Sequence, residues 1–208
     1  MIKVNPATAK FMLDRYVDLK PGDWVVQNAG NSAVGRYLIQ LAKTKGVHSI
    51  NIVRREGIEQ ELTEIGADLV MVEGEDLPEK VMAELGDANI PLAIDAVAGK
   101  ATLNLGGILN EEGTVVNYGL LSGEPCQLTA DMVVFKGITL TGFWLAKTLG
   151  RMTAEAKQQL YGELESLVAS GKISTPVEAT YHLGQLEEAL RHAYRGGRSG
   201  KILLTPNG

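Results

Sequence analysis

The chain has 208 residues, 45% of them hydrophobic and 22% charged, which excludes a disordered chain and leaves room for one large domain or two small ones. Twenty Lys and Arg stand against 25 Asp and Glu, a formal net charge of −5, so wholesale binding to nucleic acid is disfavoured and any anion site must be local. The single cysteine, Cys126, rules out an internal disulfide and a cysteine-rich zinc site. With no apolar run of about 18 residues and no charged-then-apolar leader at Met1, neither a membrane span nor export is expected. The simplest location is the cytoplasm; an organelle stays open, because a removed leader leaves no trace.

In chain order, residues 5–17 predict a helix, with Asn5 as cap, Pro6 at the first position and Ala9, Leu13 and Tyr16 along one face. Short β-branched runs follow at Trp24–Asn28, Ser49–Val53, Leu69–Val72, Leu92–Val97, Thr114–Tyr118 and Ile138–Thr141. Most are apolar at successive positions, the pattern of strands covered on both faces. Helical stripes lie between them: Val34, Leu38, Leu41 and Ala42; Ile58, Leu62 and Ile65; Val81, Met82 and Leu85. This alternation predicts an α/β fold, a doubly wound six-stranded parallel sheet of the Rossmann dinucleotide-binding type with flanking helices. Two late helices carry Leu160, Leu164, Leu167 and Val168, then Leu186, Ala189, Leu190 and Ala193. The chain closes on an apolar strand, Gly200-Lys201-Ile202-Leu203-Leu204, which is expected to lack a partner because six sheet strands are already assigned. The division that follows is a helix in residues 1–20, a dinucleotide-binding domain in 21–150, and C-terminal helices with the closing strand in 151–208.

The sharpest motif is Trp24-Val25-Val26-Gln27-Asn28-Ala29-Gly30-Asn31-Ser32-Ala33-Val34-Gly35, a strand, a tight turn and a helix start. Unpaired N–H groups at a helix N-terminus carry partial positive charge, and small residues there let a pyrophosphate approach. Gly30 and Gly35 match the G-x-G-x-x-G template, while Ser32 replaces the middle glycine with a hydroxyl that can still donate to phosphate. The second strand ends Asn51-Ile52-Val53-Arg54-Arg55. A carboxylate there would bind the ribose 2′-OH of NAD; two guanidiniums suit the 2′-phosphate of NADP instead.

Other chemistry is weaker. Ser32, Asp95 and then His182 or His192 follow the serine-hydrolase order, but a nucleophile elbow needs glycine where Val34 stands. One cysteine and three scattered histidines give no zinc ligand cluster. Asp95, at the end of the fourth strand, fits a carboxylate capping a nearby backbone N–H better than a catalytic group.

Taken together, Asn5-Pro6-Ala7-Thr8-Ala9, Gln27 to Ser32 and Gly142-Phe143-Trp144-Leu145 resemble the medium-chain dehydrogenase/reductase superfamily. Within it the chain is similar to the zinc-independent quinone reductase and trans-2-enoyl-thioester reductase branch. Ile65 to Asp68, Gly113 to Gly119 and Gly200 to Ile202 extend the likeness over nearly the whole chain. The resemblance implies NADPH as cofactor and reduction of an activated C=C bond by hydride delivery to the β-carbon, with quinone reduction as the alternative. It implies a cofactor contact for Asn5, a pyrophosphate cradle at Asn31, Ser32, Ala33 and Val34, and 2′-phosphate contacts at Arg54 and Arg55. Tyr118, Gly119, Leu120 and Leu121 would lie along the cofactor, Phe143, Trp144 and Leu145 would flank the nicotinamide, and Lys201 would reach the cofactor from the last strand. The family commonly has glycine where this chain has Ala33.

Family enzymes also begin with a domain of about 100–130 residues that supplies most of the substrate pocket and a proton-donating tyrosine. This chain starts at the helix that follows it, so the proton donor is expected elsewhere and the chain alone is expected to turn over little. The closing strand would pair with that domain. A naturally short protein, and a nucleotide-dependent sensor or assembly module without chemistry, stay open as readings. A homodimer through the edge strand near Ile138–Thr141 is expected.

Overall fold

The computed structural model describes residues 2–195, 197–198 and 200–206. Helix α1 (Asn5–Arg15) buries Ala7, Ala9, Phe11, Met12 and Leu13. Its cap is Val4 and not Asn5, which is already helical and makes no capping bond. Pro6 sits one position further in than expected; the first turn tolerates this because its N–H groups have no intrahelical acceptor anyway. There follow β1 (Trp24–Gln27), α2 (Ala33–Thr44), β2 (His48–Val53), α3 (Glu59–Glu64), β3 (Leu69–Val72), α4 (Leu77–Leu85), β4 (Leu92–Asp95), α5 (Lys100–Ile108), β5 (Thr114–Asn117), α6 (Ala130–Val134), β6 (Thr139–Gly142), α7 (Leu145–Gly150) and α8 (Ala154–Ala169).

The six strands pair in the order β3-β2-β1-β4-β5-β6, all parallel. The α/β doubly wound expectation therefore holds, with the chain reversing direction across the sheet between β1 and β4. One face is covered by α1, α2 and α8: Met12, Leu13, Leu38, Leu160 and Leu164 pack over Val25, Leu92, Ile94 and Val116. The other is covered by α4 and α5, with Leu77, Val81, Leu105 and Ile108 over Val26, Ile50, Ala93 and Val115. A smaller cluster, Ile39, Val53, Ile58 and Leu62, seats α3. Met82, assigned to the α4 stripe, instead points outward at 61% exposure.

Three helices were not anticipated. Helix α5 contains Gly106 and Gly107, poor helix formers, but a side chain at either would press on Leu128 or Pro78. Helices α6 and α7 span five and six residues, too few to show a period.

Residues 174–208 form a second compact unit. In it β7 (Val177–His182) pairs in parallel with β8 (Lys201–Thr205), and α9 (Leu186–Tyr194) packs on both. The closing strand thus has a partner, contrary to the expectation from sequence. Val-Glu-Ala-Thr-Tyr-His alternates in character, so β7 lacks the continuous apolar run that marked the other strands.

Candidate cofactor-binding site

Polar residues close β1, β4 and β5, and Asn51 lies within β2, where a sheet covered on both faces would otherwise be apolar. The register places Gln27 beside Asn51 and Asp95 beside Asn117. Gln27, Asn28, Asn51 and Asp95 are all buried. The Asp95 carboxylate accepts from Asn28 Nδ2 and Thr102 Oγ1, both at 2.6 Å, and from the N–H groups of Val97 at 2.8 Å and Ala98 at 2.9 Å. Asn117 Nδ2 donates to it at 3.2 Å. Burial by itself pushes this carboxyl upward; the bonds from Thr102, Asn28, Ala98 and Val97 outweigh it and hold the group below the usual carboxylate range. One buried anion therefore fastens the loops after β1 and β4 and the end of β5 to one another.

Gln27 Nε2 donates to Gly35 O at 3.0 Å and to Asn51 Oδ1 at 2.7 Å, fixing the turn into α2. Ser32 is the N-cap of α2, its Oγ accepting from the Gly35 N–H at 3.0 Å. Arg36 is also buried and donates from Nε to Asn31 O at 3.3 Å, while its guanidinium pairs with Glu61. The N–H groups of Ala33 and Val34, in the first turn, have no acceptor among the described residues. A Cβ at Gly35 would collide with Gly30 O and lie 2.9 Å from Ala29 O, and one at Gly119 would lie 2.5 Å from Ala96 O. These glycines are needed for backbone-to-backbone approach rather than for unusual dihedrals. Ala29 and Ala98, by contrast, hold φ of 48° and 66° in the loops after β1 and β4, the strained region that gathers at functional sites.

Other candidates follow β2, β5 and β6 at the same sheet end. Gly30 N donates to Ile52 O at 3.0 Å, setting the loop against β2, after which Arg54 and Arg55 stand exposed. Tyr118 N donates to Asp95 O at 2.9 Å. The Tyr118 phenol is pushed up to about 12, chiefly by burial and with the Asp95 charge adding, while a hydrogen bond with Ser32 acts the other way. Leu120 and Leu121 are exposed by 64% and 73%, as is Asn31, and Trp144 by 70%. Phe143 is buried, its ring 6.1 Å from that of Phe11, and Leu145 packs partly against the same core. Half-buried Asn5 opens α1, whose end reaches this rim through Tyr16 OH, which donates to Gly142 O at 3.0 Å. Lys201 begins β8 in the second unit. Sequence reasoning missed Gln27, Asn28, Asn51, Thr102 and Asn117 as a network; the available signal was a polar residue closing the apolar runs of β1, β4 and β5.

The arrangement suits a phosphorylated, elongated ligand: open N–H donors at α2, backbone approach at Gly35, and cations at the end of β2. It does not suit zinc. Among the described residues no three His, Cys, Asp or Glu side chains group as ligands; His48 is engaged by Asp68, and His192 by Tyr181 and Glu178.

A family model described as zinc-binding dehydrogenase matches residues 33–163. The mitochondrial enoyl-[acyl-carrier-protein] reductase of Dictyostelium discoideum is 34% identical over 98% of this chain, which spans 59% of that relative's length. Two solved structures have a TM-score of 0.86 at 29% identity, over 99% of this chain and 60% of theirs. They are the mitochondrial 2-enoyl thioester reductase Etr1p/Etr2p heterodimer of Candida tropicalis and the Etr1p complex with NADP and crotonyl-CoA. A Bacillus thuringiensis protein described as an NADPH:quinone reductase aligns with a TM-score of 0.89 at 26% identity, over 99% of this chain and 63% of its own. The chain belongs to the zinc-binding dehydrogenase family, in the zinc-independent branch of the medium-chain dehydrogenase/reductase superfamily.

Proposed function

We propose that this chain is the NADPH-binding part of an oxidoreductase that reduces a C=C bond conjugated to a thioester carbonyl. The observation that carries this reading is the similarity to enoyl reductases along almost the entire chain. The open first turn of α2 and the Arg54–Arg55 pair support it. When bound, NADPH supplies the hydride. The N–H groups of Ala33 and Val34, with Asn31 and Ser32, receive its pyrophosphate, and Gly30 and Gly35 let it approach. Arg54 and Arg55 hold the 2′-phosphate; Tyr118, Gly119, Leu120 and Leu121 run along the cofactor; Asn5 approaches it from α1. Trp144, beside Phe143 and Leu145, shields the nicotinamide end from water. Quinone reduction is the second reading, favoured by the likeness to the Bacillus thuringiensis protein.

Calorimetric titration with NADPH and NADH tests the cofactor assignment. The wild-type chain should prefer NADPH, and Arg54→Ala/Arg55→Ala should abolish the preference. Equal or absent binding of both cofactors by the wild type would overturn it. Turnover by a longer form with an enoyl-thioester and with a quinone then separates the two acceptors, and turnover of neither points to a binding module.

A homodimer through β6 is part of the same reading. Strand β6 is a sheet edge, Leu140 on it is 40% exposed, and the preceding Val133, Val134 and Phe135 are more exposed still. No described helix is long and apolar enough to cross a membrane. The proposed location is the cytoplasm, with a mitochondrial one in keeping with the Dictyostelium discoideum relative.

A further inference from the structure

The segment after β6 also borders a pocket of about 360 Å³. Three cations line it: Arg15 from the end of α1, Lys147 from α7, and Arg151 at the C-cap of α7, together with Tyr16, Phe143 and Trp144. All three cations are exposed, and none has a carboxylate partner among the described residues. The chain has a net charge of −5, and Lys10, Arg36, Lys45 and Lys100 elsewhere do find carboxylates. Lys147 and Arg151 are four residues apart, a spacing at which like charges on a helix repel. The negative end of the short α7 offsets part of that repulsion, but it does not account for Arg15, brought in from another helix. The Arg15 guanidinium lies 4.5 Å above the Phe11 ring and Nη1 is 3.4 Å from Thr148 Oγ1, which holds it at the pocket in advance of any ligand.

We propose that this pocket is an anion subsite for the phosphate of a pantetheine-type thioester carrier, an inference that rests on the enoyl-thioester reading above. It lies beside Phe143 and Trp144, so the cations would grip the carrier arm at a distance from the reacting bond. Guanidinium and ammonium groups converging on one cavity match a phosphate, and Trp144 offers the arm an apolar flank. The same phosphate chemistry is presented by free coenzyme A and by the phosphopantetheine of an acyl carrier protein.

The test is calorimetric titration of the wild-type chain and of Lys147→Glu/Arg151→Glu with crotonyl-CoA, crotonyl-phosphopantetheine, crotonyl-pantetheine and NADPH, with thermal melts to confirm that both proteins are folded. Crotonyl-CoA and crotonyl-phosphopantetheine should bind the variant about tenfold or more weakly, the loss of one good charge-assisted contact. Crotonyl-pantetheine and NADPH should be unaffected. Weakening of both phosphorylated probes supports a site that reads the phosphopantetheine common to both sources; weakening of crotonyl-CoA alone supports one that reads the nucleotide end of free coenzyme A. Equal weakening of crotonyl-pantetheine, weakening of NADPH, or no thioester binding to the wild type would overturn the proposal. Absent NADPH binding with charge-dependent thioester binding intact counts against the cofactor reading alone.

Discussion

Asp95 is a buried carboxylate held only by neutral donors, so its charge is offset by geometry and not by a cation. Replacing it with asparagine turns an NH₂ toward groups that themselves donate, and at least one is orphaned at a cost of about 1–3 kcal/mol. Asp95→Asn should therefore melt earlier in a thermal denaturation; an unchanged melting temperature would show that the loops hold without it. Because the folded carboxyl is held below the ordinary value, its contribution is complete at pH values above the unfolded value of about 4. It is lost as pH falls from there through the folded pKa. The wild type should lose this contribution below about pH 4 while Asp95→Asn does not, a difference that acid titration of stability will read.

At the scale of elements, the second unit depends on one small residue. A Cβ at Gly200 would lie 2.7 Å from Glu178 N and 2.9 Å from Pro176 O, where β8 enters its pairing with β7. Gly200→Val should expose the β7 and β8 amides to hydrogen exchange while those of β1, β2, β4 and β5 stay protected; unchanged protection of β7 would sink the argument. Most strands of the main sheet announced themselves as continuous apolar runs because helices cover both faces, while the largely exposed β6 was legible only as a short β-branched run. Strand β7 did not, since most of it is exposed and its residues alternate. Gly30, Ser32 and Gly35 were readable because a tight strand-to-helix turn confines its small residues to neighbouring positions. The Gln27–Asn51 and Asn28–Asp95 pairs were not, since their partners are 24 and 67 residues apart in sequence and meet only through sheet register. The cations around the pocket went unread for the same reason, Arg15 being more than 130 residues from Thr148 in sequence.

At the scale of the whole molecule, this chain spans 59% of the Dictyostelium discoideum relative, and no described side chain is assigned as proton donor to the substrate. The isolated chain should bind NADPH yet reduce enoyl-thioesters poorly. A kcat within the ordinary range of about 1–1000 per second would refute this and place the acid inside these residues.

The docking of α1 has a consequence for the order in which the protein can be made. Its flank toward α2 becomes available early in synthesis. The rest of its support waits for α8: Tyr161 OH donates to Lys3 O at 3.1 Å, and Lys10 pairs with Glu163 at 2.8 Å. On a ribosome adding about 5–20 residues per second, roughly 150 residues separate these partners, so the two contacts form several seconds or more after α1 has been made. Helix α1 is thus fully secured only after α8 has emerged, and a nascent chain stalled before residue 154 should be more open to chaperones and proteases than one that has passed it.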